Sequence, residues 1–194
     1  MSRIDRIAAE QAIETLLCAF HIDVAKRQGM KETPARVVSM LEEMWAGEQM
    51  ENEEIANLFG KTFPTDSREM VVVKGIEAFS TCEHHLALIY DMTVSVAYIP
   101  NGKLIGLSKI ARIVDIVCRR LQLQERIGFE IADILQKIVG PDVCVRVEAS
   151  HACMTARGIQ RPGTKTVTFV RRGAFAEGTD TASSYFTEFL AALG

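Results

Sequence analysis

The sequence predicts an α+β protein built around an antiparallel sheet. Helical and strand-like segments follow the order α-α-β-β-α-α-β-β-α, with no regular βαβ repeat that would call for a parallel sheet. The clearest strand signal alternates strictly, with Val94, Val96 and Tyr98 set against Thr93, Ser95 and Ala97. The length of 194 residues suits one domain that can bury a core without disulfides.

Each element has its own local signal. Ile4 to Phe20 reads as a helix, because Ile4, Ile7, Ala8, Leu16, Leu17 and Phe20 fall largely on one face. Thr33-Pro34 is an N-cap and first-turn pair opening a second helix through Val37, Met40, Leu41, Met44 and Trp45, stopped by Gly47. The polar stretch with Pro64 and Asp66 reads as loop, Met70 to Val73 as a strand, and Met92 to Ile99 as another. Asn101-Gly102 after Pro100 marks a tight turn. Ser108 to Leu121 carries the helical stripe Ile110, Ile113, Val114, Val117, Leu121, and Leu123 to Val139 forms a further helix closed by Gly140-Pro141. Val143, Val145 and Val147 alternate in a strand over Asp142 to Ala149. Thr164 to Val170 is a Thr/Val/Phe-rich strand, and a last helix runs near Thr181 to Leu193.

Composition narrows the function classes. No apolar run approaches the roughly 20 residues of a membrane span, so no membrane partner is expected. The start, Met1-Ser2-Arg3-Ile4-Asp5-Arg6, mixes charges instead of opening a signal peptide. Five cysteines without a secretory signal point to reduced thiols and a cytoplasmic protein, with Cys18, Cys118 and Cys144 as core fillers. The net charge is −3, yet Lys103 to Arg172 carries 13 Lys/Arg against 6 Asp/Glu. A basic segment within an acidic chain fits a local anion site or a salt-bridged face better than a nucleic-acid surface.

Two short runs carry the chemistry. Cys82-Glu83-His84-His85 and His151-Ala152-Cys153 supply thiols and imidazoles, the side chains that hold zinc. A site with three protein ligands leaves a position for water, whose pKa zinc lowers to about 7. Gly106-Leu107-Ser108-Lys109-Ile110-Ala111-Arg112 puts a hydroxyl and two cations at a helix start, either a phosphate cradle or an ordinary capped surface helix. Gly158 to Thr166 looks like a phosphate-binding P-loop. Its lysine is displaced, however, and a strand follows where that mechanism needs a helix N-terminus.

Taken in order with Tyr98-Ile99-Pro100-Asn101-Gly102-Lys103, Arg119-Arg120-Leu121-Gln122-Leu123-Gln124-Glu125-Arg126 and His151-Ala152-Cys153-Met154-Thr155-Ala156-Arg157-Gly158, these motifs resemble GTP cyclohydrolase I, continuously from about Val72 to Phe175. Glu32-Thr33-Pro34-Ala35-Arg36-Val37 extends the resemblance into the N-terminal helices. The resemblance implies that Cys82, His85 and Cys153 ligate zinc and that His84 and His151 are catalytic histidines. It further implies that Ser108, Lys109, Arg112 and Arg157 hold a triphosphate, and that Gln124 and Glu125 recognise guanine. It implies a tunnelling fold, an antiparallel sheet backed by helices, in one domain over residues 1–194. A mainly helical segment (1–65) would precede the catalytic core (66–194). The implied assembly is a homodecamer with sites at subunit boundaries. The implied reaction converts GTP and water to 7,8-dihydroneopterin triphosphate and formate, the entry to folate-type pterins.

Other pterin or deazapurine enzymes of that fold class would use histidines alone for zinc, or a nucleophilic cysteine without it. A non-catalytic zinc-stabilised module would not require the remaining histidines and cations. The sequence departs from the family pattern at Thr81, where a larger apolar residue is usual. It departs again over Leu86-Ala87-Leu88-Ile89-Tyr90-Asp91, which lacks the usual Pro-Phe and Gly. Both departures bear on local strand geometry.

Overall fold

The structure, a computed structural model, describes residues 4–178 and 182–194. Along the chain run α1 (Arg6–Ala19), α2 (Thr33–Met44), α3 (Asn52–Phe59), β1 (Thr62–Pro64), β2 (Val71–Cys82), β3 (Ala87–Tyr98), β4 (Lys103–Ile105) and α4 (Leu107–Cys118). They are followed by β5 (Leu121–Gln122), α5 (Gln124–Val139), β6 (Val143–His151), α6 (Ala152–Thr155), β7 (Thr166–Arg171) and α7 (Ala182–Leu193). The main sheet has the order β5-β2-β3-β6-β7, antiparallel throughout except for the short β2–β5 contact, so the expected antiparallel sheet backed by helices is what forms.

Helices α4 and α5 cover one face of this sheet through the apolar stripes read from the sequence. Ile110, Ile113, Val114 and Val117 of α4 are fully buried, as are Ile127, Ile131, Ile134 and Leu135 of α5. β-Branched residues lower helix propensity by at most about 0.7 kcal/mol each relative to Ala. Burying each of those side chains returns about 1.5–3 kcal/mol, so packing decides the conformation. The other face carries a smaller cluster, in which Phe189 of α7 meets Ala97, Ile99, Cys144 and Phe175. β7 ends the sheet as an edge strand with Val167 and Phe169 exposed.

The topology sorts the chain into two ends. Cys82 pairs with Ala87 and Gln122, and Ile89 pairs with His151, so the close of β2, the starts of β3 and α5, and the close of β6 share one end. Val71, Tyr98 and Val143 mark the opposite end, where β4 leads into α4.

Several local readings are corrected. β2 runs to Cys82 instead of ending at Val73, because Lys74-Gly75 forms a bulge that interrupts the alternation without ending the strand. Gly75 takes φ +72 there, opposite the single residue Ser95. A second bulge places Tyr90 and Asp91 of β3 opposite Phe79, and Asp91 adopts φ +50. Asp is one of the few residues besides Gly that tolerates the left-handed region. The polar stretch expected as loop contains β1, paired with β4, and α3 was missed altogether.

Glu32, not Thr33, is the N-cap of α2, and Gly106 caps α4 with no side-chain bond, which makes Ser108 an early helical residue and not a cap. Gly47 is required by a close approach: a Cβ there would lie 2.1 Å from the Ile116 carbonyl oxygen. Cys118 and Cys144 are buried as expected, whereas Cys18 is exposed. The expected helix start at Thr181 and the residues Met1 to Arg3 lie outside the described residues. Among the described residues, no helix is long and apolar enough to cross a membrane.

Candidate metal and nucleotide site

Cys82 closes β2, and the chain then turns so that the backbone N–H groups of His85 and Leu86 both donate to the Cys82 carbonyl, at 3.4 and 2.9 Å. This turn brings His85 Nδ1 to 3.9 Å from Cys82 Sγ. Cys153 arrives from the other side, on the single-turn helix α6 that follows β6. One ligand atom from each of Cys82, His85 and Cys153 lies within 4.8 Å of the others. Tetrahedral zinc with Zn–S near 2.3 Å and Zn–N near 2.0 Å holds S and N about 3.6 Å apart, so the Cys82–His85 pair already stands close to the spacing such an ion needs.

The electrostatics agree with the donor set. Burial pushes the Cys153 thiol above its ordinary pKa, and the neighbouring Cys82 pushes it further, while Arg157 opposes them. Two thiols this close resist ionising together, and a divalent cation between them removes that conflict.

His151 sits beside this cluster with Nε2 2.7 Å from Gln124 Oε1. Gln124 is buried, and its amide nitrogen faces the carbonyl oxygens of Val147 and Thr166 at 3.1 and 2.9 Å and Thr168 Oγ1 at 3.4 Å. With the nitrogen so committed, the amide oxygen accepts from His151, whose Nε2 is therefore the protonated nitrogen. Burial lowers the His151 pKa, and the charge of Glu125 partly offsets this. His84 is exposed, with its ring edge-on to that of His85 at 6.2 Å between centroids. Glu125, in the first turn of α5, is also exposed.

The remaining predicted residues divide. Arg157 belongs to the cluster's end, close enough for its charge to act on Cys153. Ser108, Lys109 and Arg112 lie in the first turns of α4, at the opposite end of the fold from Cys82. Twelve residues of α4 at 1.5 Å per residue separate the ends by about 18 Å. One chain thus brings together the thiols, the histidines, Gln124, Glu125 and Arg157, but not the α4 cations.

Sequence reasoning missed the supports of the cluster. The indole N–H of Trp45 donates to Thr81 Oγ1 at 3.2 Å, which gives the unusual Thr81 a partner that an apolar side chain could not be. Tyr90 and Thr155 hydroxyls meet at 2.9 Å and tie α6 to β3. Glu83 forms an ion pair with Arg126. Adjacency to Cys82 was the available signal for Thr81 and Glu83.

The chain is similar to known proteins along most of its length. The family described as GTP cyclohydrolase I matches residues 9–190. A protein named GTP cyclohydrolase 1 from Clostridium botulinum (strain Kyoto / Type A2) is 55% identical over 179 residues, covering 89% of this chain and 91% of the relative. One of the same name from Ruminiclostridium cellulolyticum is 53% identical over 184 residues, covering 91% and 94%. Among solved structures, the archaeosine synthase QueF-Like in the apo form overlaps 55% of this chain and 93% of its own, at 20% identity and a TM-score of 0.42.

Proposed function

Because the chain belongs to the GTP cyclohydrolase I family, we infer that it converts GTP and water to 7,8-dihydroneopterin triphosphate and formate, as the entry step to folate-type pterins. The observation that supports this most is the convergence of Cys82, His85 and Cys153 within 4.8 Å, from two separate segments. Zinc bound there would supply a water acidified to about pKa 7 for attack on the purine's five-membered ring.

The chain's own residues do the rest. His151 is held by Gln124 through its protonated Nε2, so Nδ1 is the atom left to take up a proton and return it. His84, exposed on the neighbouring turn, is the second proton carrier. Glu125 accepts the N1–H and N2 amino hydrogens of guanine, and Gln124, its neighbour in the recognition pair, acts from the buried side by steadying His151. Lys109, Arg112, Ser108 and Arg157 bind the triphosphate.

The α4 cations start from the opposite end of the fold from the thiols, which supports a composite site completed by α4 of another chain. A homodecamer agrees with this. So do the open edge at β7 and helix α1, none of whose described residues is buried and which exposes Ile7 and Leu16. We place the enzyme in the cytoplasm, where its five free cysteines stay reduced.

Incubating the protein with GTP and following formate together with pterin absorbance tests the reaction; GTP left intact by zinc-loaded protein refutes it. In the same assay, Glu125→Gln keeps the shape but loses a charge. It should weaken GTP binding by about 1.5–3 kcal/mol, the scale of a charge-assisted hydrogen bond, with zinc content unchanged. Unaltered GTP affinity would remove Glu125 from the site.

Composite sites also predict complementation. Chains carrying Cys153→Ser and chains carrying Lys109→Ala are each crippled. Co-expressed in equal amounts, they should recover about a quarter of the intact sites, since random neighbours in a symmetric ring pair a whole metal end with a whole cation end that often. Activity no higher than the sum of the two separate variants would place the whole site within one chain.

A further inference from the structure

The ion pair between Glu83 and Arg126 lies between the metal turn and the first turn of α5, and it is built unlike an ordinary surface pair. Arg126 Nε donates to Gln122 Oε1 at 2.8 Å, and one of its Nη groups donates to the Leu121 carbonyl at 2.7 Å and to Glu83. Gln122 is fully buried and is itself fixed, its amide nitrogen donating to the Val117 carbonyl at 3.1 Å and to Glu130 at 2.8 Å. Glu130 in turn accepts from Arg120 at 2.7 Å, and Arg120 reaches Asn52 and the carbonyls of Gly47 and Met50. The guanidinium of Arg126 is thus aimed before Glu83 arrives. A pair of flexible surface chains contributes little, because ordering both offsets the attraction. Here one partner is already ordered, and the planar fork loses little further freedom.

Of the groups Arg126 grips, Glu83 alone belongs to the turn between Cys82 and His85. The Glu83 backbone N–H also donates to the Gln122 carbonyl, at 3.1 Å, so the backbone fastens the turn to β5 while the side chain fastens it to Arg126 of α5, itself bonded to β5. The third ligand, Cys153, stands on a different segment, the short helix α6 that follows β6. Any swing of the turn would change the distance from His85 Nδ1 to Cys153, which is carried by another segment.

We propose that Arg126 is a positioning residue for the metal: through Glu83 it locks the Cys82–His85 turn in ligating register and joins that register to the helix start that carries Glu125. This rests on the reading of Cys82, His85 and Cys153 as zinc ligands, and the test separates the two. Partners that orient metal ligands typically affect metal affinity by 10–100-fold when lost.

The experiment loads wild type, Arg126→Ala, Glu83→Ala, the double variant and Cys153→Ser with zinc, and measures the rate of zinc transfer to a colorimetric chelator. Arg126→Ala and Glu83→Ala should each release zinc about 10–100-fold faster. The double variant should release it no faster than the worse single. Arg126→Lys, which keeps charge without the fork, should fall between and serves if the alanine variant does not fold. Wild-type release rates in both single variants, or multiplicative effects in the double, would overturn the proposal. Zinc retained by Cys153→Ser would instead overturn the ligand reading.

Discussion

Replacing Cys153 by serine is expected to remove bound zinc and turnover together. Three side chains that could hold the ion come from two segments, and Cys153 is the one of them on α6. A serine hydroxyl stays protonated where a thiol ionises, so the substitution removes both a donor and the negative charge that holds a dication. Cys82 and His85 alone cannot close a tetrahedral site, and the remaining coordination would fall to solvent. The loss should therefore exceed the roughly 10²–10⁴-fold of a missing proton carrier, because the nucleophile itself is no longer generated. Metal content by atomic absorption after gel filtration, read beside formate release, checks this. Full metal with full turnover in Cys153→Ser would show that the ion sits elsewhere.

His151→Ala and His84→Ala are expected to behave differently, keeping zinc while losing about 10²–10⁴-fold in rate. His151 is held by a buried amide at 2.7 Å, which gives it a defined tautomer and direction. Because burial lowers its pKa, with Glu125 opposing, it is neutral at pH 7 and acquires a proton only as the pH falls below the ordinary imidazole range. Chemistry that uses its free nitrogen as a base should hold through neutral pH and decline on acidification, and the His151→Ala protein should lack that decline. Zinc loss in either variant would mean that a ligand has been mistaken for a proton carrier.

The long helices and the central strands were legible because burial wrote a period into them. Ile110, Ile113, Val114 and Val117 repeat at helical spacing, and Val143, Val145 and Val147 at strand spacing, each facing the same core. The site was legible in part for a different reason, since thiols and imidazoles in close sequence are rarely neutral choices. What stayed hidden had no period to show. β4 and β5 are three and two residues long, and the two bulges break the alternation of β2 and β3 just where it would have marked them. Helix α3 is held by a capping box made with Glu51 and Glu54, in which glutamate takes the place of the expected Ser or Thr. The distance between the α4 cations and the thiols was invisible for a further reason: sequence order carries no record of which end of a sheet a helix starts from.

The open edge at β7 has a consequence for a chain that stands alone. Thr166 to Arg171 pairs with β6 on one side, and among the described residues no strand lies on the other, so its backbone offers a template to any passing strand while Val167 and Phe169 stand in water. Such an edge is a liability that native sheets blunt with charges, bulges or a covering element. On the homodecamer reading, a newly made chain is in a race between finding its proper neighbours and joining the wrong ones. The yield of usable protein is then governed by how long chains wait alone, and slower synthesis at lower temperature helps by thinning the crowd of unpaired edges.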